Sequence, residues 1–344
     1  MKVNVLRLSV CFLLALFTGS YSLAQNRDDI NKDASEDKGK VQNYCNPIIN
    51  YDTPDPTVMK VKDKFYLFAT ENNRETPVWT STDLVHWSRK PGSAFASRPT
   101  FVAHGGIWAP DAHRIKGKYV LYYAMSVWGG EWKCGIGVAV SDAPEGPYKD
   151  LGKLFTSEEI GVRNSIDEFF IHDKGHNYLF WGSFHGIYGI ELTRDGLHIK
   201  KGAAKIKIAG NFMEATYIHK HKGYYYLFGS NGSCCEGDRS TYRIVYGRSK
   251  KLFGPYVTKE GRPLLEGNYD VLLHGNSQFV GPGHNAELMT DDAKQDWIIY
   301  HSYLRGRSDE GRVAMLDPLN WSEGWPVIEN STPSSSHKVP YFKK

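Results

Sequence analysis

Five ionisable residues stand at matching places along the 344-residue chain. They are Asp55 in Pro54-Asp55-Pro56, Asp111 in Trp108-Ala109-Pro110-Asp111, Asp167 in Ser165-Ile166-Asp167, Glu214 in Met213-Glu214-Ala215 and His284 in Gly283-His284-Asn285. Each has an ordinary reading when taken alone. Aspartate before proline forms turns, Asp111 can close the turn at Trp108, Asp167 can cap, Glu214 can sit on a strand surface, and His284 beside Gly281, Pro282 and Gly283 can be a loop histidine. As a set they are costly as mere packing, because clustered acids repel and desolvate one another. What such a cluster can do is acid–base chemistry. One ionised carboxylate takes a proton from water, and a second carboxyl group, kept protonated by its surroundings, donates a proton to a leaving group.

The elements that must position these groups are visible as an internal repeat. Five aromatic-rich runs share one register: Lys64 to Phe68, Lys118 to Tyr122, Asn177 to Trp181, Tyr224 to Phe228 and Asp296 to Tyr300. Each reads as a β-strand, and an extended segment with a short turn precedes it, such as Val61-Lys62-Asp63, Lys116-Gly117, Asp173-Lys174-Gly175 or Lys222-Gly223. The runs begin 54, 59, 47 and 72 residues apart. Units of that size with hairpins inside them predict propeller blades of about four strands. The fold expected is therefore all-β, a single-domain five-bladed β-propeller. A β-sandwich is the competing architecture, but it does not call for matching units. In a propeller the innermost strand of each blade lines the central channel, so all five ionisable residues are expected to face one axial cavity.

The rest of the chain sets the context. Residues 1–24 carry Lys2 and Arg7, an apolar run from Leu8 to Phe17, and small residues up to Ser22-Leu23-Ala24, which reads as a secretory signal peptide too short to span a membrane. Its removal leaves 40 Lys and Arg against 38 Asp and Glu, a balance that does not favour nucleic acid. The mature protein is expected to be secreted or periplasmic. Residues 25–43 read as a mobile polar leader, 44–330 as the propeller and 331–344 as a C-terminal tail of similar character to the leader. Of the four cysteines beyond the signal, Cys234 and Cys235 are adjacent, and a bond between them requires a strained ring. Buried free thiols or one long-range bridge are the two readings, and no spacing suits structural zinc.

At this point the sequence resembles glycoside hydrolase family 43, and within it the enzymes that degrade arabinan. The resemblance spans Tyr44 to Ile328. It rests on Asp55-Pro56-Thr57-Val58, Ile107-Trp108-Ala109-Pro110-Asp111, Ile166-Asp167 leading to Trp181-Gly182-Ser183-Phe184, and Glu214-Ala215-Thr216-Tyr217. It rests also on Ser233-Cys234-Cys235-Glu236-Gly237 with Ser240-Thr241-Tyr242, on Gly281-Pro282-Gly283-His284, and on Gly324-Trp325-Pro326. Two positions depart from the common pattern: Pro54 stands where many members have His, and Ala215-Thr216 follows the acid in place of Ala-Pro or Gly-Pro.

The resemblance implies a secreted glycoside hydrolase that cleaves α-L-arabinosidic linkages of plant arabinan with inversion, Asp55 serving as general base, Glu214 as general acid and Asp167 as the group that raises the pKa of the acid. Inversion wants the base and acid about 6.5–9.5 Å apart, leaving room for water. Trp108, Asp111, Ser183, Phe184 and Arg312 are the expected substrate-binding residues, with Trp128 and Tyr303 as further aromatic candidates. His284 resembles a histidine of an axial metal site, for which calcium is the ion implied; no organic cofactor is. The alternatives are an exo-acting α-L-arabinofuranosidase or β-xylosidase, a choice that turns on whether the Gly129 to Cys134 and Leu304 to Gly311 loops wall one end of the groove, and a non-catalytic carbohydrate-binding propeller. The expected partner is a plant polysaccharide or oligosaccharide, with no nucleic acid and no membrane span.

Overall fold

The computed structural model of the protein describes residues 42–343, so the signal peptide and residues 25–41 of the leader lie outside the described residues. Each of the five aromatic runs becomes the second strand of an antiparallel sheet. Blade 1 runs through Thr57–Val61, Lys64–Phe68, Val78–Ser81 and Ser88–Arg89, and blade 2 through Gly106–Ile115, Lys118–Ser126, Gly135–Ser141 and Lys149–Thr156. Blade 3 comprises Phe169–Asp173, His176–Trp181, Ile187–Leu192 and Ile206–Ala209, and blade 4 comprises Glu214–His221, Tyr224–Asn231, Arg243–Ser249 and Asp270–Leu273. In blade 5, Phe279–Gly283 and the short Met289–Thr290 both pair with Asp296–Leu304, followed by Val313–Ser322 and Trp325–Val327. The architecture is a five-bladed β-propeller.

Local sequence explains the hairpins. Lys116-Gly117, Lys174-Gly175 and Lys222-Gly223 all have positive φ at both residues, the backbone a tight two-residue hairpin needs, with glycine at the second place where a side chain is least tolerated. The aromatic runs then bury themselves in the seams between blades. Phe68 and Tyr66 of blade 1 meet Ile107, Leu121 and Tyr123 of blade 2, and Tyr122 and Val138 of blade 2 meet Phe170 and Trp181 of blade 3. Burial of each such side chain contributes about 1.5–3 kcal/mol, so the seams both hold the blades and fix their mutual angle.

A second repeat lies at the mouth of the channel. Asp55, Ala109, Asp167, Ala215 and His284 adopt left-handed backbone conformations, with φ of 54°, 42°, 58°, 59° and 46°. There is one per blade: Asp55 and Asp167 just ahead of the innermost strand, Ala109 and Ala215 within it, and His284 directly after Phe279–Gly283. Non-glycine residues seldom adopt this conformation, and it costs of order 1–3 kcal/mol per site. The preceding blade holds four of them in place. Ala109 N–H donates to Thr70 Oγ1 at 2.9 Å, Ala215 N–H to Asp167 Oδ2 at 3.1 Å, His284 N–H to Ser230 Oγ at 2.8 Å, and, across the closure, Asp55 N–H to His301 Nδ1 at 3.0 Å.

The two ends of the domain close the ring. Asn43–Cys45 pairs with Ser336–Lys338, and Ile49 bridges to Ala314 of blade 5. The C-terminal segment, expected to be mobile, is therefore part of the fold. Val339 and Phe342 pack on the apolar cluster of blades 1 and 5, with Phe342 5.1 Å from the Phe65 ring, and Tyr341 N–H donates to Asp291 Oδ2 at 3.0 Å. A polar composition read as mobility because its few apolar residues find their partners only in tertiary structure. Among the described residues, no helix is long and apolar enough to cross a membrane.

Candidate active site

A cavity of about 680 Å³ opens at the end of the channel where the left-handed residues lie. Its lining includes Asp55, Asp167, Glu214, His284, Arg312, Trp108, Ser183 and Phe184. Four of the five ionisable positions thus meet there, and Asp111 does not. The reason is register: the blade 2 counterpart of Asp55 is Ala109, and Asp111 lies two residues further along the strand. Its buried carboxylate instead contacts His113 Nε2 at 2.8 Å, accepts from Phe170 N–H at 2.6 Å and lies 3.4 Å from Thr57 Oγ1. Together with Glu287, which accepts from Thr57 Oγ1 at 3.0 Å and Val58 N–H at 3.1 Å, it brackets blades 1, 2, 3 and 5 below the cavity. That role is structural rather than substrate-binding.

Asp55 is surrounded by donors. Thr70 Oγ1 donates to Oδ2 at 2.6 Å, Arg312 Nη1 donates to Oδ1 at 3.0 Å, and His284 Nδ1 lies 3.3 Å from Oδ1. Burial alone would raise its pKa, yet the Arg312 guanidinium and His284 hold it well below the usual carboxylate range. Asp55 is ionised whenever the protein is folded near neutral pH. His301, pushed down to about 4 by burial, stays neutral and can accept the Asp55 N–H.

Glu214 and Asp167 are tuned the other way. Burial raises the pKa of Glu214, and the Asp55 charge adds to this; Ser183 Oγ donating at 2.5 Å, Tyr242 Oη donating at 2.7 Å and the His284 charge offset part of the rise. Burial, with the charges of Glu214 and Asp55, raises Asp167 to about 7, against the pull of His284. The pair therefore retains a proton at a pH where Asp55 is bare. Two carboxyl environments pushed in opposite directions are what paired acid and base catalysis needs.

Ser183 is itself fixed by Asn164 Nδ2 at 2.9 Å. Trp108 supplies an apolar wall: its ring packs on Ala124, Cys134 and Ile166, and lies 6.4 Å from the exposed Trp128. Gly106 makes room for it, since a Cβ there would fall 2.5 Å from Trp108 Nε1. Tyr303 is buried and does not line the cavity. Gly129 and Glu131 border it, and no residue of Leu304 to Gly311 does.

Cys234 and Cys235 form a vicinal disulfide in the cavity wall, correcting the expectation of free thiols or a long-range bridge. Backbone geometry at a single dipeptide decided this, and spacing along the sequence carries no information on it. Cys45 and Cys134 are free.

The metal expected at His284 finds limited support. Its Nδ1 faces Asp55, leaving Nε2 as one further ligand atom, and His284 belongs to no group of three close donor residues among the described residues. Calcium takes 6–8 oxygen ligands, so an ion there fits only with water completing most of its shell.

Thr70, Asn164 and His301 join the site without a mark in the sequence reading, and Tyr242, there only part of the Ser240-Thr241-Tyr242 pattern, joins it as a donor to Glu214. The sequence carries a signal for the first: Thr70, Ser183, Ser230 and Ser302 all stand two residues past the aromatic run of their blade, and the first three of these hydroxyls bond Asp55, Glu214 and the His284 N–H at the channel mouth. Tyr242 and His301 reach the site from a loop and a strand interior, with no periodic mark.

Comparison with known proteins agrees with this geometry. Residues 44–326 match the family model described as Glycosyl hydrolases family 43. The extracellular endo-alpha-(1->5)-L-arabinanase 1 of Bacillus subtilis is 36% identical over 79% of this chain and 86% of its own length. The extracellular exo-alpha-(1->5)-L-arabinofuranosidase ArbA of Cellvibrio japonicus is 32% identical over 81% of this chain and 86% of its own. Among solved structures, the Cellvibrio cellulosa alpha-L-arabinanase complexed with arabinohexaose superposes with a TM-score of 0.74 at 30% identity, covering 81% of this chain and 96% of that one. With its propeller, its cavity of carboxyl groups and a match over most of its length, the chain belongs to glycosyl hydrolases family 43 and is a glycoside hydrolase.

Proposed function

We propose that the protein hydrolyses α-L-arabinosidic linkages of plant arabinan by a single inverting displacement. The observation that carries this reading is the split of carboxyl environments in one cavity. Asp55, held ionised by Arg312 and His284, takes the proton of a water molecule as it attacks the anomeric carbon. Glu214, held protonated by burial and by neighbouring negative charge, gives its proton to the departing glycosidic oxygen. Asp167 does not touch the reacting atoms; its charge and its bond to Ala215 N–H keep the acid protonated and placed. Trp108 and Phe184 offer flat apolar surfaces to the C–H faces of the sugar rings, and Ser183 positions Glu214.

An arabinan chain is the substrate we assign because relatives named for α-(1->5)-arabinan match over most of both chains. Internal cleavage is the reading we favour because, of the two loops that could wall the groove, Gly129 to Cys134 contributes Gly129 and Glu131 to the cavity lining and Leu304 to Gly311 contributes no residue. The N-terminal signal would deliver the enzyme outside the cytoplasm. A calcium ion, if held by His284 Nε2 and water, would supply positive charge near the carboxylates, and no proton transfer in this scheme requires it.

The test is incubation with debranched arabinan, arabinoxylan and aryl glycosides, following products by chromatography and the first-formed anomer by NMR. A ladder of arabino-oligosaccharides of inverted configuration is expected. Arabinose or a single short product from the outset would establish exo action, and retained configuration would remove Asp55 from the role of base.

A further inference from the structure

The innermost strand of blade 4 carries Glu214 at its cavity end and two histidines at the other. His219 and His221 are two residues apart, so they project from the same face of the strand, roughly 17–23 Å along it from Glu214. Across the seam, Asp296 opens the second strand of blade 5, and Trp321 lies in the third. His219, His221 and Asp296 offer ligand atoms that all lie within 4.8 Å of one another, and all three residues are half-buried.

The surroundings prepare these atoms as a donor set. The His221 ring lies flat on the Trp321 indole, with centroids 3.8 Å apart and planes 5° from parallel, yet its Nε2 is buried without a hydrogen-bond partner. A buried ring nitrogen left unpaired is destabilising unless something else satisfies it. His219 Nδ1 pairs with Tyr217 Oη at 3.1 Å, which leaves Nε2 as its remaining atom. Trp321 Nε1 donates to Asp296 Oδ2 at 2.7 Å and Thr290 Oγ1 donates to Oδ1 at 2.5 Å, so the carboxylate is oriented from behind while lone pairs remain on both oxygens. Rings and carboxylate are thus held by outer partners, as ligands of bound metals commonly are. Two imidazoles and one carboxylate suit zinc, copper or nickel rather than calcium or magnesium, and three protein ligands leave a fourth position for water.

We propose that His219, His221 and Asp296 bind a divalent transition-metal ion of the zinc class, which clamps the strand bearing Glu214 to blade 5 at the end of the propeller away from the carboxyl groups. The residues come from two blades, so an ion there is bound by the folded protein and not by the unfolded chain, and it stabilises the seam in proportion to its occupancy.

The experiment uses untagged, chelator-treated mature protein. Calorimetric titration with Zn2+ is expected to show about one equivalent bound, with Tm rising by about 5 °C at a hundredfold excess over Kd. Co2+ in its place should give the visible bands of a four-coordinate N/O site. Two variants keep the packing: His221→Phe retains the stack on Trp321, and Asp296→Asn retains an acceptor for Trp321 Nε1. Each should weaken Zn2+ binding by about 10²-fold or more and abolish the Tm rise, while arabinan hydrolysis without metal stays within twofold of the parent. Absence of Zn2+ binding by the parent overturns the proposal. So does unchanged affinity in either folded variant, or loss of binding in Asp111→Asn alone, which would place the ion at the Asp111, His113 and Glu287 bracket.

Discussion

Ala215 N–H donates to Asp167 Oδ2 at 3.1 Å, so the third carboxylate of the site is anchored to the residue that follows Glu214. The bond crosses from blade 3 to blade 4 and satisfies a backbone held in the left-handed region. It makes Asp167 both a brace for the turn that presents Glu214 and a source of charge beside it.

From that relationship a pH effect follows. Asp167→Asn removes a negative charge that opposes ionisation of Glu214, so the acid should lose its proton at lower pH. Activity depends on the protonated acid, and the alkaline limb of the kcat profile should move toward acid, by about one pH unit. An unmoved limb would leave Asp167 with the anchoring role alone.

Ser183→Ala and Tyr242→Phe should act with the opposite sign. Both hydroxyls donate to Glu214 and stabilise its ionised form. Without either, the acid pKa rises and the alkaline limb moves toward higher pH, while loss of positioning lowers kcat by about 10-fold. Profiles recorded side by side with Asp167→Asn check the sign.

The base and the acid are separable by leaving group. Asp55→Asn and Glu214→Gln should each reduce arabinan turnover by at least about 10²-fold with the fold intact by circular dichroism. An aryl arabinoside with a very good leaving group needs little proton donation, so it should restore much of the rate in Glu214→Gln and hardly any in Asp55→Asn. Better rescue of Asp55→Asn would reverse the two assignments.

The C-terminal segment should prove part of the stable domain. Phe342→Ala removes the contact with Phe65 at the blade 1 and blade 5 seam and should cost about 1–2 kcal/mol. Deleting residues 335–344 also removes the Ser336–Lys338 strand, and the Tm in scanning calorimetry should fall further than for Phe342→Ala. A deletion with unchanged Tm would show that the ring is closed by Ile49 and Ala314 alone.

The sequence by itself determined the repeat, and with it the propeller. Strand periodicity, aromatic content and hairpin turns are local properties, and five copies of one pattern leave few architectures that bury it. The same repeat pointed to Asp55, Asp167, Glu214 and His284, because register along an innermost strand translates directly into position around the channel. It misplaced Asp111 because a shift of two residues preserves the face of a strand but changes depth along it; the left-handed residues, Ala109 in blade 2 and Ala215 next to Glu214 in blade 4, mark the depth of the cavity. Tertiary structure alone decided the rest. The pairing of Cys234 with Cys235, the docking of Phe342 on Phe65, and the approach of Arg312 and His301 to Asp55 all join residues whose proximity depends on ring closure or a single turn. The ionisation of each carboxyl group belongs here too, since burial and neighbouring charge set it, and neither exists until the blades have packed.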